Sequence, residues 1–216
     1  MEQRTIHITG VGHVAQAPDT VVVSLRLTAS NPEYAAAVTI GNQQIEMLRE
    51  AIVEAGFDAD YLKTTSFDVR AVYEDEEYRE GNSKRYRQNL TGFECVHDLK
   101  LTFDIDNAKL NAAIDTIAVC LSEPKLSVAF TVKDTDALAD KILEAAARDA
   151  LRKAKILCAA ADVKLGRLIR VDYPRDELTV HDAPQAVLAA STDSAFDFQP
   201  DDVTATDSVK FIWEID

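Results

Sequence analysis

The chain has 216 residues, 47% hydrophobic and 28% charged, an ordinary balance for a globular protein long enough to bury about 70% of its unfolded surface. Its net charge of -14 repels phosphate backbones and anionic bilayers, so nucleic acid is excluded as an expected partner. Cys95, Cys120 and Cys158 stand far apart with no metal-binding spacing, and are expected as buried, reduced thiols.

Met1-Glu2-Gln3-Arg4 runs straight into a strand pattern, and no apolar run is long enough to span a membrane. As given, the sequence is expected to be cytoplasmic, the alternative being a periplasmic or exported protein whose leader has been removed. Residues 5–14 set Ile6 and Ile8 against Thr5, His7 and Thr9. Gly10, Gly12 and Ala15 superficially match a dinucleotide fingerprint, but that motif needs a helix to open there. Pro18-Asp19 and a further strand follow instead, so the glycines are expected to mark a bend or bulge.

Residues 20–30 form a half-buried strand, with Val21, Val23, Leu25 and Leu27 on one face. Asn31-Pro32-Glu33 then supplies a cap, a first-turn proline and an early acid. The helix that follows turns Val38, Ile45, Leu48 and Ile52 inward and stops at Gly56. Gly41 inside it costs up to about 1 kcal/mol against alanine, and so marks a close crossing.

Residues 62–73 are a strand with Thr65, Phe67, Val69 and Ala71 on one face. Residues 74–87 read EDEEYREGNSKRYR, acids first and bases second, with Gly81-Asn82 between them. Such a segment is a hairpin tip whose arms pair opposite charges. Its functional reading is a subunit or partner contact built from Tyr73, Glu76, Glu77, Tyr78, Arg79, Lys84, Arg85, Tyr86 and Arg87.

Residues 89–104 align Phe93, Cys95, His97, Leu99, Leu101 and Phe103 on one face. Cys95 and His97 point the same way, as two metal ligands do, but no second pair accompanies them, so they read as core. A helix over 106–120 turns Leu110, Ile114, Ile117 and Leu121 inward, and Leu126, Val128, Phe130 and Val132 make another strand. Residues 136–161 form the organising helix. Ala139, Ile142, Leu143, Ala146, Ala150, Ala154, Leu157 and Ala161 share its face, and an alanine face lets the axis lie close to a sheet. Asp134 or Thr135 caps it, and Glu144–Arg148 and Asp149–Lys153 pair along its outside. Residues 166–174 are a strand, residues 175–207 a long irregular excursion, and residues 208–216 a closing strand with Val209, Phe211, Trp213 and Ile215 on one face.

The element order is β-β-α-β-β-α-β-α-β-β. It predicts an α+β domain spanning residues 1–216, with a mixed, mostly antiparallel sheet covered by about three helices. The stretches ITGVGHVAQAPDTVVVSLRL at 8–27, EAGFDADYLKTTSFDV at 54–69, TGFECVHDLKLTFDID at 91–106 and EAAARDALRKAKILCAAADVKLGRLIRV at 144–171 together resemble the SIMPL-domain family, named from a signalling molecule that associates with a pelle-like kinase. The resemblance implies a protein of the kind that includes exported, oligomeric bacterial envelope immunogens, with a stress- or envelope-related role. It transfers no catalytic residue.

The expected function is therefore a non-catalytic assembly or protein-interaction module that forms homo-oligomers and requires no cofactor. His7, His13, His97 and His181 are scattered, and no serine or cysteine sits in a nucleophile-elbow setting. The alternative is a small-ligand or metal-binding module, for which the acids at 74–77 and Asp201-Asp202 are the candidate groups.

Overall fold

The computed structural model describes residues 4–80, 83–173, 179–181 and 197–216, the side chains of 78–80, 83 and 179–181 excepted. Its elements are β1 (Thr5–Gln16), β2 (Thr20–Asn31), α1 (Tyr34–Glu54), β3 (Leu62–Glu80), β4 (Ser83–Asp104), α2 (Asn107–Ala118), β5 (Lys125–Thr131), α3 (Thr135–Ala160), β6 (Leu165–Asp172), β7 (Thr179–His181) and β8 (Val203–Ile215). The α+β class, the three helices and their order among the strands follow the sequence pattern. The strands are divided between two sheets rather than gathered in one. They belong to two compact units, one drawn from the described residues of Met1–Asp19, Phe130–Pro184 and Pro200–Asp216, the other from those of Thr20–Ala129 and Gln185–Gln199.

In the first unit the strand order is β1-β8-β6, with β7 also pairing β8. The ladder from Thr5↔Glu214 to Gln16↔Val203 is antiparallel and has no register shift, so Gly10 and Gly12 make neither bend nor bulge. They clear space for α3. A Cβ on Gly10 would stand 2.0 Å from the Ala146 carbonyl oxygen, and one on Gly12 would stand 2.1 Å from that of Ile142. The buried face of α3 is narrower than the periodicity suggests: Leu138, Ile142, Ala146, Ala150, Ala154 and Cys158 repeat at four-residue steps. Leu157 and Ala161, expected inward, are exposed, because a four-residue stripe drifts round the helix from a 3.6-residue one. Asp134 caps the helix by accepting from Ala137 N at 2.8 Å.

In the second unit the order is β3-β4-β2-β5. Antiparallel registers place Leu25 opposite Leu99, Val23 opposite Leu101 and Ala29 opposite Cys95 on the covered face. Arg26 and Asp98 oppose each other on the bare one. α1 crosses the covered face at Gly41, where a Cβ would come to 2.8 Å from Cys95 Sγ. Its cap differs from expectation. Asn31 Oδ1 accepts from Glu33 N at 2.9 Å, closing a turn before the helix, and Glu33 makes no side-chain cap bond. Gly56 follows the helix at φ 90°. α2 buries Leu110, Ile114 and Ile117, but Leu121 lies past its end and is 89% exposed. Cys95 and Cys158 are buried, and Cys120 is only partly so; all three are free thiols.

The excursion expected over 175–207 contains the short strand β7, which pairs with β8, and is shorter at its end, since Val203 already begins β8. Alternating residues carry that strand back beyond Ser208, with Val203 and Ala205 fully buried. Residues 174–178 and 182–196 of the excursion lie outside the described residues.

Candidate interaction surface

β3 and β4 form one long antiparallel hairpin reaching from Leu62↔Leu101 to Glu80↔Ser83. Strands stay paired this far only where each cross-strand couple contributes, because a two-stranded ribbon has no sheet beneath it to supply burial. The charge order of the sequence provides those couples. Glu76 stands opposite Arg87 and pairs with it at 2.6 Å, and it also accepts from Asn89 Nδ2. Arg87, then Asn89, hold the Glu76 carboxyl below its usual range. Glu77 pairs with Lys84 at 2.8 Å and accepts from the Tyr86 hydroxyl at 3.3 Å.

The predicted contact residues are therefore brought together on one ribbon. Tyr73 stands opposite Leu90, Tyr78 opposite Arg85 and Arg79 opposite Lys84, while the side chains of Tyr78 and Arg79 lie outside the described residues. Gly81-Asn82 at the turn lie outside them as well. Tyr73, Tyr86 and Leu90 are each more than half exposed, a set of large side chains that packing among the described residues leaves largely uncovered.

Sequence reasoning missed the lower part of the same hairpin. β3 is the end strand of its sheet, and among the described residues its outer edge pairs with nothing. Phe67, 53% exposed, stands on the covered face beside half-buried Val69, and its ring meets the His97 ring edge-on at 4.5 Å. Asp68 and Arg70 alternate with these residues on the bare face, where Arg70 pairs with Glu94. The signal was present in the alternation of residues 66–72. Nothing local says that a strand will lie at the end of a sheet.

The candidate ligand groups of the sequence separate in space. Cys95 Sγ lies 3.7 Å from His97 Nε2, inside the core. Burial pushes the Cys95 thiol up and the His97 imidazole down, and both effects favour neutral core groups. Strand alternation divides the acids at 74–77 between two faces, and Glu76 and Glu77 are engaged by bases. Among the described residues no three His, Cys, Asp or Glu side chains gather as a metal site would need. His7 meets Thr5 and His13 meets Thr206 at separate points of the β1 ladder. No described helix is long and apolar enough to cross a membrane.

The sequence model of the SIMPL family, described as "Protein of unknown function (DUF541)", matches residues 6–213. Two relatives, from Brucella abortus and Brucella melitensis biotype 1, each carry the name "26 kDa periplasmic immunogenic protein". Each is 23% identical over 215 residues, covering 97% of this chain and 84% of its own.

Proposed function

The chain belongs to the SIMPL family, and from that premise we propose that it is a non-catalytic assembly or protein-interaction module of the bacterial envelope. The observation that carries this reading is the hairpin of β3 and β4, with its exposed tyrosines, its ordered charge ladder and an outer edge that pairs with nothing among the described residues. A ribbon this long is costly to order unless something binds it, and aromatic groups beside arginines suit a protein contact. The envelope setting is supported by the periplasmic names of the two relatives, which agree with the exported alternative of the sequence reading.

Native mass spectrometry of the untagged protein, gently purified from its host, tests the assembly. A discrete oligomer is expected, and removal of residues 76–84 should change its number of subunits while circular dichroism stays that of the folded chain. A wild-type protein that is monomeric and partner-free at all concentrations would sink the proposal. Osmotic-shock fractionation of the host tests the compartment, and recovery with cytoplasmic markers would remove the envelope part.

A further inference from the structure

The outer edge of β3, which pairs with nothing among the described residues, has a sequence that complements itself. A register shift between Thr64 and Ser66 makes Thr65 a bulge on β3; the next shift places its extra residue, Thr91, on β4. From Ser66 onward β3 therefore runs as regular strand, and its inner and outer residues alternate without interruption. Residues opposed in an antiparallel pair point to the same face. Two copies joined edge to edge, with their helices on one side, must then oppose residues whose numbers have the same parity. The two-fold axis passes through a residue, and only a few residues are available.

An axis at Asp68 or Arg70 sets a charge against its own copy. An axis at Ala71 brings Asp68 against Glu74, and one at Val72 brings it against Glu76. An axis at Phe67 runs into the bulge within two residues. An axis at Tyr73 sets Val69 against Glu77 and turns Arg70 toward Glu76, which Arg87 and Asn89 already hold. An axis at Val69 has none of these defects. It sets Arg70 against the partner's Asp68 twice over, Phe67 against the partner's Ala71 and Val69 against itself. Arg70 keeps 65% of its side chain exposed while pairing with Glu94, so its remaining donors can serve a second carboxylate. On the covered face, Phe67 and Val69 of both copies extend the apolar surface that Ala29, Ala37 and Cys95 begin.

We infer that β3 pairs antiparallel with β3 of a second copy of this chain around a two-fold axis at Val69, joining two four-stranded sheets into one. The inference rests on the assembly reading above and names its partner and register. Main-chain hydrogen bonds supply the attraction, and the Asp68–Arg70 couples select the register.

Charge exchange tests it. Asp68→Arg alone and Arg70→Asp alone each set like charges across the axis, and each should weaken the pairing by roughly tenfold or more at low salt. An equimolar mixture of the two variants should pair heterotypically with wild-type affinity, because two bases then face two acids. Native mass spectrometry separates the mixed species by mass, and circular dichroism confirms that each variant is folded. Independently, Val69→Cys should form an intermolecular disulfide on mild oxidation, since directly opposed residues lie about 4.5–5.5 Å apart at Cα. That variant needs a Cys95→Ala, Cys120→Ser background, because Cys95 stands opposite Val69 on β4. Assembly that is indifferent to both single variants, with no cross-link, would overturn this interface and leave the assembly proposal standing on another surface. A wild-type chain that never assembles would overturn both.

Discussion

At the scale of the residue, small side chains and one multiply bonded carboxylate carry much of the structure. A methyl group on Gly10 or Gly12 meets main-chain oxygen of α3, which no side-chain rotation can move. Gly10→Ala and Gly12→Ala should each cost about 3 kcal/mol, at the upper end of overpacking penalties, in urea unfolding followed by fluorescence. A loss below about 0.5 kcal/mol would mean that helix and strand separate easily. Asp149 is the second such residue. Its carboxylate pairs with Lys153 at 2.7 Å, accepts from Val11 N at 3.0 Å and pairs with Arg152 at 2.6 Å. Those donors, Lys153 first, hold its carboxyl far below the ordinary range. On acidification the unfolded chain takes up this proton before the folded one does. The stability Asp149 adds is thus fully present above about pH 4 and lost as pH falls toward the lower folded value. The difference in urea midpoint between wild type and Asp149→Asn should be widest at neutral pH and close below pH 4; a gap independent of pH would contradict the assignment.

At the scale of the element, the two sheets treat their edges differently. α3 reaches the outer side of β1, where Asp149 takes the Val11 N–H and Lys153 Nζ donates to the Thr9 carbonyl at 3.2 Å. Main-chain groups on that edge are thereby satisfied within the unit. No described element does the same for β3. The crossing of α1 over β4 shows how one element selects the composition of another. Alanine stabilises a helix interior over glycine by about 1 kcal/mol, yet at position 41 its methyl would press on Cys95 Sγ. Gly41→Ala should therefore destabilise the wild type. In a Cys95→Ala background the same change should stabilise, because the opposing sulfur is gone. Additive effects in that double-mutant cycle would show that the two residues do not constrain each other.

At the scale of the whole molecule, chain order and unit membership do not coincide. The second unit is almost continuous, whereas the first is assembled from both ends of the chain and a middle portion. Each unit has its own sheet and its own core: Ile8, Ala146, Ala150, Val209, Phe211 and Trp213 in the first, and Ala29, Ala37 and Cys95 within the second. A fragment of residues 20–131, keeping β5 entire, should thus fold alone and unfold in one cooperative urea transition. Dispersed amide resonances in a proton–nitrogen correlation spectrum would verify its packing, and a collapsed spectrum would show that the unit depends on the rest of the chain.

Much of this architecture could be read residue by residue. Alternation located most of the strands, Asp134 was one of two candidate caps and is the one that bonds, and the acid-then-base order of 74–87 gave a charge-paired ribbon, because each depends on near neighbours. The same local logic misjudged Gly10 and Gly12, whose reason is the main chain of a helix more than a hundred residues away. It placed Leu121 and Leu157 inside, where only the end of α2 and the four-residue stripe of α3 put them out. It found the tip of the hairpin and passed over the open edge at 66–72. By itself the sequence determined most of the elements, the main line of their amphipathic faces and the family, since propensity, period and charge order act over a few residues. Only the tertiary structure decided that the strands form two sheets and that β3 ends one of them. Strand neighbours are chosen by burial and pairing across the whole fold, and no short stretch of sequence carries that choice.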